Sequence, residues 1–206
     1  FFFFFFYRLR SIEYAHQNQS QFLAELVAFS SIPSISTDPV HKSDVERTAE
    51  WLSEKFTSLG LDNVRIFPTE RHPIVYAESL KSEGAPTVLI YGHYDVQPAE
   101  PLDKWESDPF LPQVRDDNLY ARGTTDMKGQ VAATIHAVEA IVRTTSLPIN
   151  VKFLIEGEEE IGSPNLGKFI SDHKDLLTCD FALNPDTGMV APDLPTITYA
   201  LRGLAY

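Results

Sequence analysis

Two apolar runs constrain this chain more than any other feature: Thr87 to Tyr91, read Thr-Val-Leu-Ile-Tyr, and Val151 to Ile155, interrupted only by Lys152. A strand without polar alternation has both faces covered, the habit of central strands in α/β proteins. Between the runs, residues 130–142 carry Ala, Ile and Val at helical spacing. Strand, helix, strand predicts a parallel pair joined by a crossover helix on one sheet face. The expected fold class is α/β, a three-layer arrangement of a sheet flanked by helices.

The flanking segments fit that frame. Phe22, Leu23, Leu26 and Val27 give a helical face from Tyr14 to Phe29, ended by Ser30 to Ser34 with Pro33 among them. Asp38-Pro39 opens a second helix, with Val45, Ala49, Leu52 and Phe56 on one stripe and Gly60 past its end. Val64–Phe67 and Ile74–Ala77 read as strands, Pro164–Leu177 as a helix, and Phe181–Leu183 as a further strand. Pro98 to Asn118, with Trp105, Pro109, Phe110 and Pro112, reads as a long functional loop without regular structure. Residues 1–13, beginning with Phe1 to Phe6, are expected to stand outside the fold as an atypical leader. They are too short to span a bilayer, which takes about 20 apolar residues, and lack the marks of a secretory signal.

The chain has 206 residues, which suits one large domain. Its 29 acidic residues against 17 Lys and Arg leave a net charge of −12, which disfavours nucleic acid and anionic membranes as partners. Cys179 is the single cysteine, so no internal disulfide forms and nothing demands an oxidising compartment. A cytoplasmic location is expected, with Cys179 as a small buried residue beside a strand.

The groups that carry chemistry stand where strands end, the usual ligand position in open α/β sheets. They are His93 and Asp95, then Asp126 ahead of the crossover helix, Glu159 and Glu160 after the second run, and Asp186 after Leu183. Imidazole and carboxylate are donors for zinc-like ions, and a bridged pair of ions needs about this many. His93 and Asp95 are two apart and share a face, and a metal-bound imidazole gives its other N–H to a carboxylate. One carboxylate can serve two ions, and one Glu can bind metal while its neighbour acts as base. Each group also has a plain alternative. His93 and Asp95 can be a structural strand end, Asp126 an N-cap for a helix beginning near Met127, and Asp186 an Asx turn. The four acids from Glu156 to Glu160 can be a solvated charge run, although crowding them beside a core strand is costly without a cation.

Taken together, Tyr91 to Pro98, with Trp105 and Pro109-Phe110 after it, and the run Glu156-Gly157-Glu158-Glu159-Glu160-Ile161-Gly162-Ser163 resemble the zinc metallopeptidase family. That family includes aminoacylases, glutamate-releasing carboxypeptidases, desuccinylases and carnosinase-like dipeptidases. The similarity runs from about Phe22 to Tyr206, and Val96-Gln97-Pro98 looks most like the dipeptidase branch. The resemblance implies a zinc exopeptidase-like catalytic domain, represented by residues 14–195, and the start of a lid and dimerisation domain at 196–206, where the chain stops. It implies two divalent ions, zinc foremost, with manganese or cobalt also suited. His93 and Asp186 would bind one, Glu160 the other, and Asp126 both. Glu159 would be the general base, Asp95 would steady His93, and a cis peptide would follow Asp126. The implied activity is hydrolysis of an amide beside a free carboxylate in a dipeptide, by a full-length form that is a homodimer. An N-acyl amino acid deacylase or desuccinylase is the alternative substrate reading, and an inactive metal-binding, partner-binding module is another. A glycosidase using paired carboxylates leaves His93 without a role. The family's last metal-ligating His has no counterpart, since His16, His41, His72, His136 and His173 lie in no matching motif. The apolar end Leu204-Ala205-Tyr206 is expected to form a sticky exposed edge.

Overall fold

A computed structural model describes residues 2–191 and 193–203, with side chains from residue 9 onward. Chain order is α1 (Phe2–Gln17), α2 (Gln19–Ser30), α3 (Lys42–Ser58), β1 (Asp62–Phe67), β2 (Ile74–Ser79), β3 (Thr87–His93), β4 (Gln113–Arg115), β5 (Asn118–Tyr120), α4 (Lys128–Thr144), β6 (Asn150–Glu156), α5 (Leu166–Asp172), α6 (Lys174–Leu177) and β7 (Phe181–Leu183). Five strands form one sheet in the order β1-β2-β6-β3-β7. The two apolar runs are its neighbouring strands β3 and β6, parallel as expected and joined through α4. β7 lies parallel to β3, whereas β2 pairs antiparallel with both β1 and β6.

Alternation along the central strands sorts side chains into two cores. Val75, Ala77, Val88, Ile90, Val151, Phe153 and Ile155 pack with α3 and α4 on one face. Ile74, Tyr76, Leu89 and Leu154 meet Phe169 of α5 and Leu177 of α6 on the other. Three layers result, and both faces of β3 and β6 are dry, which is why neither strand tolerates alternation. The interruption at Lys152 is resolved by position. Its buried amine donates to the carbonyls of Leu176 at 2.7 Å and Thr178 at 2.8 Å, capping the end of α6.

Four expectations change. The helix from Tyr14 to Phe29 is two helices broken at Asn18, whose backbone leaves helical geometry (φ −104°, ψ 11°) and whose side-chain amide donates to the Tyr14 carbonyl at 2.8 Å beside its own N–H at 3.0 Å. Residues 1–13, set apart above, are helical from Phe2 on, and Ser11 Oγ lies 2.8 Å from Thr144 Oγ1 of α4. The helix from Pro164 to Leu177 divides at His173, where the ring stacks on Phe169 at 4.2 Å and Nδ1 donates to the Phe169 carbonyl at 2.9 Å. The segment from Pro98 to Asn118 is not structureless, because it holds β4 and leads into β5. Their two-residue turn, Asp116-Asp117, has φ of 49° and 60°, the left-handed pair that a tight hairpin turn demands. Cys179 is partly buried against the second core. The apolar end at Leu204 to Tyr206 lies outside the described residues.

Charge is buried between the helices as well. Lys55 of α3 donates to Glu25 of α2 and to Glu139 of α4, each at 2.6 Å, and His136 Nε2 lies 2.9 Å from the same Glu25 oxygen. The His136 ring stacks on Phe22 at 4.1 Å, so His136 is a packed residue of the crossover helix. Removing the ammonium leaves Glu139, which is 2% exposed, with only a 3.8 Å contact to Arg143 Nε. Lys55→Met is expected to destabilise the chain by about 3–5 kcal/mol, read as a lower midpoint in urea unfolding. At Gly157, just past β6, an added Cβ would meet Tyr94 Cζ at 2.5 Å. Tyr94 is fully buried and its hydroxyl donates to the Pro73 carbonyl at 2.6 Å, so the ring has no room to retreat. Gly157→Ala is expected to cost about 1–3 kcal/mol by overpacking, measured by the same unfolding curve.

Candidate metal centre

The register of β3 against β6 places His93 opposite Glu156, so the first site residue and the start of the glutamate run share one level at the carboxyl edge of the sheet. The ladder continues one step further, with Tyr94 N donating to the Glu156 carbonyl at 2.8 Å. His93 is fully buried, and its Nδ1 lies 3.0 Å from the Asp95 carbonyl and 3.4 Å from Asp95 Oδ1. The other nitrogen, Nε2, faces Asp126 Oδ1 at 3.2 Å, Asp186 Oδ2 at 3.6 Å and Glu159 Oε2 at 3.8 Å. Donor atoms of His93, Asp126 and Glu160 lie within 4.8 Å of one another. All six expected residues therefore meet at one place.

The plain alternatives fare differently. Asp126 does not cap α4, whose N-cap residue, Met127, makes no side-chain cap bond; the peptide between them is cis. The Asx turn after β7 belongs to Asn184, whose Oδ1 accepts the Asp186 N–H at 3.0 Å, leaving the Asp186 carboxylate to His93. Within the glutamate run the solvated-face reading fails for two members and the cation argument is unnecessary for them. Glu156 accepts from Tyr91 Oη at 2.5 Å and Ser163 Oγ at 2.8 Å. Glu158 accepts from Thr69 Oγ1 and His72 N, both at 2.8 Å, and from Asn165. Glu159 and Glu160 remain at the centre.

Asp95 departs from the simple picture of a carboxylate behind a histidine. It is fully buried, and its two oxygens accept the backbone N–H groups of Glu159 at 3.2 Å and Glu160 at 3.0 Å. It thus holds the glutamate turn and the His93 ring together. Gln97 adds a second tie, its side-chain amide donating to Glu160 Oε2 at 2.7 Å.

Charge is unbalanced here. Burial alone would push His93 down, yet the carboxylates of Asp95 and Glu159 outweigh it and raise the ring to about 9. Burial, then mutual repulsion, raises Glu159, Glu160 and Asp186 above the usual carboxylate range, while His93 and, for Glu160, the Gln97 amide pull the other way. Positive charge is favoured at this point, whether carried by the ring or by a cation.

Lys128 orders the surroundings without any signal in the residue pattern. Its fully buried amine donates to the carbonyls of Phe29 at 3.0 Å, in the last turn of α2, and of Ile32 at 2.7 Å, just past it, and burial pulls it down to about 7. The segment so anchored reaches the site, since Ser34 Oγ donates to the Tyr94 carbonyl at 2.6 Å and Val96 N to the Ser34 carbonyl at 2.9 Å. A lysine at a helix start reads as exposed, and only the packing reveals otherwise.

Known proteins are similar to this chain in sequence and fold. Residues 89–196, over half the chain, match the profile of peptidase family M20/M25/M40. The chain is 35% identical to the cysteinylglycine-S-conjugate dipeptidase of Corynebacterium striatum, over 89% of this chain and 40% of that protein. It is 34% identical to human Beta-Ala-His dipeptidase, over 94% of this chain and 41% of that one. In structure it superposes on human carnosine dipeptidase 1 with a TM-score of 0.81 at 32% identity, covering 86% of this chain and 41% of that chain. For the M20 metallo-carboxypeptidase Sso-CP2 of Sulfolobus solfataricus the TM-score is 0.75 at 37% identity, covering 82% and 38%. The chain spans about two fifths of the length of these relatives. On its profile match and its shared sheet, this chain belongs to peptidase family M20/M25/M40.

Proposed function

We propose that this chain carries the metal-binding part of a two-metal dipeptidase that hydrolyses an amide beside a free carboxylate. The observation that carries the reading is the convergence of His93, Asp126 and Glu160 within 4.8 Å, with Asp186 and Glu159 at the same ring nitrogen. One imidazole with several carboxylates is a donor set for zinc, and manganese or cobalt would also suit it. His93 and Asp186 would hold one ion, Glu160 the other, and Asp126 both. When bound, such ions act as Lewis acids that polarise a carbonyl and acidify water.

The chain's own residues do the rest. With Nδ1 donating toward Asp95, the proton of a neutral His93 stays on that nitrogen and Nε2 keeps its lone pair for a ligand bond. Asp95 at the same time sets the backbone of Glu159. The Glu159 carboxylate is 38% exposed and accepts no hydrogen bond among the described residues. It is free to take a proton from the attacking water and return it to the leaving amine. The Corynebacterium striatum and human relatives named above are dipeptidases, which favours a dipeptide over an N-acyl amino acid as substrate. A homodimeric longer form belongs to the same reading. No helix among the described residues is long and apolar enough to cross a membrane, and the single cysteine is in keeping with a cytoplasmic location.

Calorimetric titration of the chelator-treated chain with zinc should show binding that His93→Ala or Asp126→Ala weakens at least about tenfold, the scale expected for a lost ligand or its support. Glu159→Gln should retain it. In a form extended to the length of the relatives and loaded with zinc or manganese, dipeptides should be hydrolysed, and Glu159→Gln should lower kcat by about 10²–10⁴-fold with metal content unchanged. Hydrolysis of acylated amino acids alone would replace the substrate with the deacylase one. No turnover of either by the metal-loaded extended form would leave a binding module.

A further inference from the structure

Of the two neighbouring glutamates at the centre, one is held and the other is loose. The Glu159 carboxylate accepts no hydrogen bond among the described residues. Glu160 is gripped at three atoms. Its backbone N–H goes to Asp95 Oδ2 at 3.0 Å, and the side-chain amide of Gln97 donates both to its carbonyl at 3.2 Å and to its Oε2 at 2.7 Å. Both partners of that Gln97 group are acceptors, which puts the amide nitrogen, and not the amide oxygen, on the Glu160 side. One NH2 group that bridges the carbonyl and the carboxylate of a single residue ties that side chain to its own backbone and restricts its rotamers.

Gln97 is itself exposed, yet its backbone is braced on both sides. On one side, Val96 N donates to the Ser34 carbonyl at 2.9 Å, and Val96 pairs with Ile35 in a parallel bridge. On the other, Arg122 Nη2 donates to the Pro98 carbonyl at 2.9 Å and Trp105 Nε1 to the Ala99 carbonyl at 2.8 Å, with the guanidinium carbon 5.4 Å from the centre of the Trp105 ring. Segments distant in sequence thus converge on the residues flanking Gln97. Support of this kind is what holds a side chain in a fixed attitude beside a site.

The neutrality of the amide also matters. Glu25, His136 and Glu139 form another cluster of donor atoms within 4.8 Å, but there the Lys55 ammonium lies 2.6 Å from both carboxylates and supplies the positive charge. Glu160 has no Lys or Arg partner among the described residues. A neutral donor orients its carboxylate without cancelling the charge, which is left for a cation to balance.

We infer that Gln97 is a positioning residue that presents the Glu160 carboxylate to its ion, acting through Glu160 and touching no ion itself. That role presupposes the ions proposed above. Loss of an outer partner of this kind costs about 10–100-fold in metal affinity.

Gln97→Met keeps the bulk of the side chain and removes the donor. In calorimetric titration of the chelator-treated chain with zinc, Glu160→Ala should weaken or abolish one binding step, and Gln97→Met should weaken the same step at least about tenfold. In the double variant Gln97→Met should cost nothing beyond Glu160→Ala, because a residue that acts only through a carboxylate has no effect once that carboxylate is gone. The urea midpoint of Gln97→Met should not fall, since the substituted side chain is exposed. Zinc binding untouched by Gln97→Met, losses that add in the double variant, or a lowered midpoint would overturn the positioning role and leave the metal reading standing. No zinc binding at all, or binding indifferent to Glu160→Ala, would sink that reading and this role together.

Discussion

The centre depends on one buried carboxylate. Asp95 sits at the end of β3, cut off from water, and its oxygens accept two backbone N–H groups from the turn after β6. A charge in that position is tolerable because donors converge on it. The consequence is geometric. The imidazole from one strand and the two glutamates from its parallel neighbour are referred to a single residue, so neither loop can drift without breaking bonds that water cannot replace.

Other polar groups around the centre obey the same rule. Glu156 and Glu158 are committed to hydroxyl and N–H donors, and Lys128 to carbonyls at and just past the end of α2. Groups with a full complement of partners are scaffold. Those left facing one another across the sheet edge are Asp126, Glu159 and Asp186 around His93 Nε2, with Glu160 beside them, and the proposed ligands come from this set. Satisfaction, more than residue type, divides the acids of the run into two kinds.

The central strands were legible from the sequence because both faces are covered and no alternation is needed, and α4 because its apolar period is strong. The convergence of the site was legible because every member follows a strand or precedes a helix on the same edge. What escaped detection was local competition. Asn18 and His173 each add a side-chain donor to a carbonyl that already accepts the helix N–H, where the backbone leaves helical geometry, an event that periodicity does not register. The Asp116-Asp117 turn was hidden because two aspartates resemble loop filler unless their left-handed backbone is seen. The sorting of Glu156 and Glu158 from Glu159 and Glu160 came with the family resemblance and not from the residue pattern, since its physical basis is Tyr91, Thr69, Ser163 and Asn165 arriving from elsewhere in the chain.

β7 has a bearing on how the sheet can grow. It is three residues long, it borders the sheet beside β3, and Phe181 and Leu183 are about half exposed. A border that brief offers few rungs to an intruding chain, which limits fibril-like stacking. The same border, next to Asp186, is nonetheless where an added strand would extend the sheet by main-chain pairing, so any such addition would be built directly against the wall of the candidate metal centre.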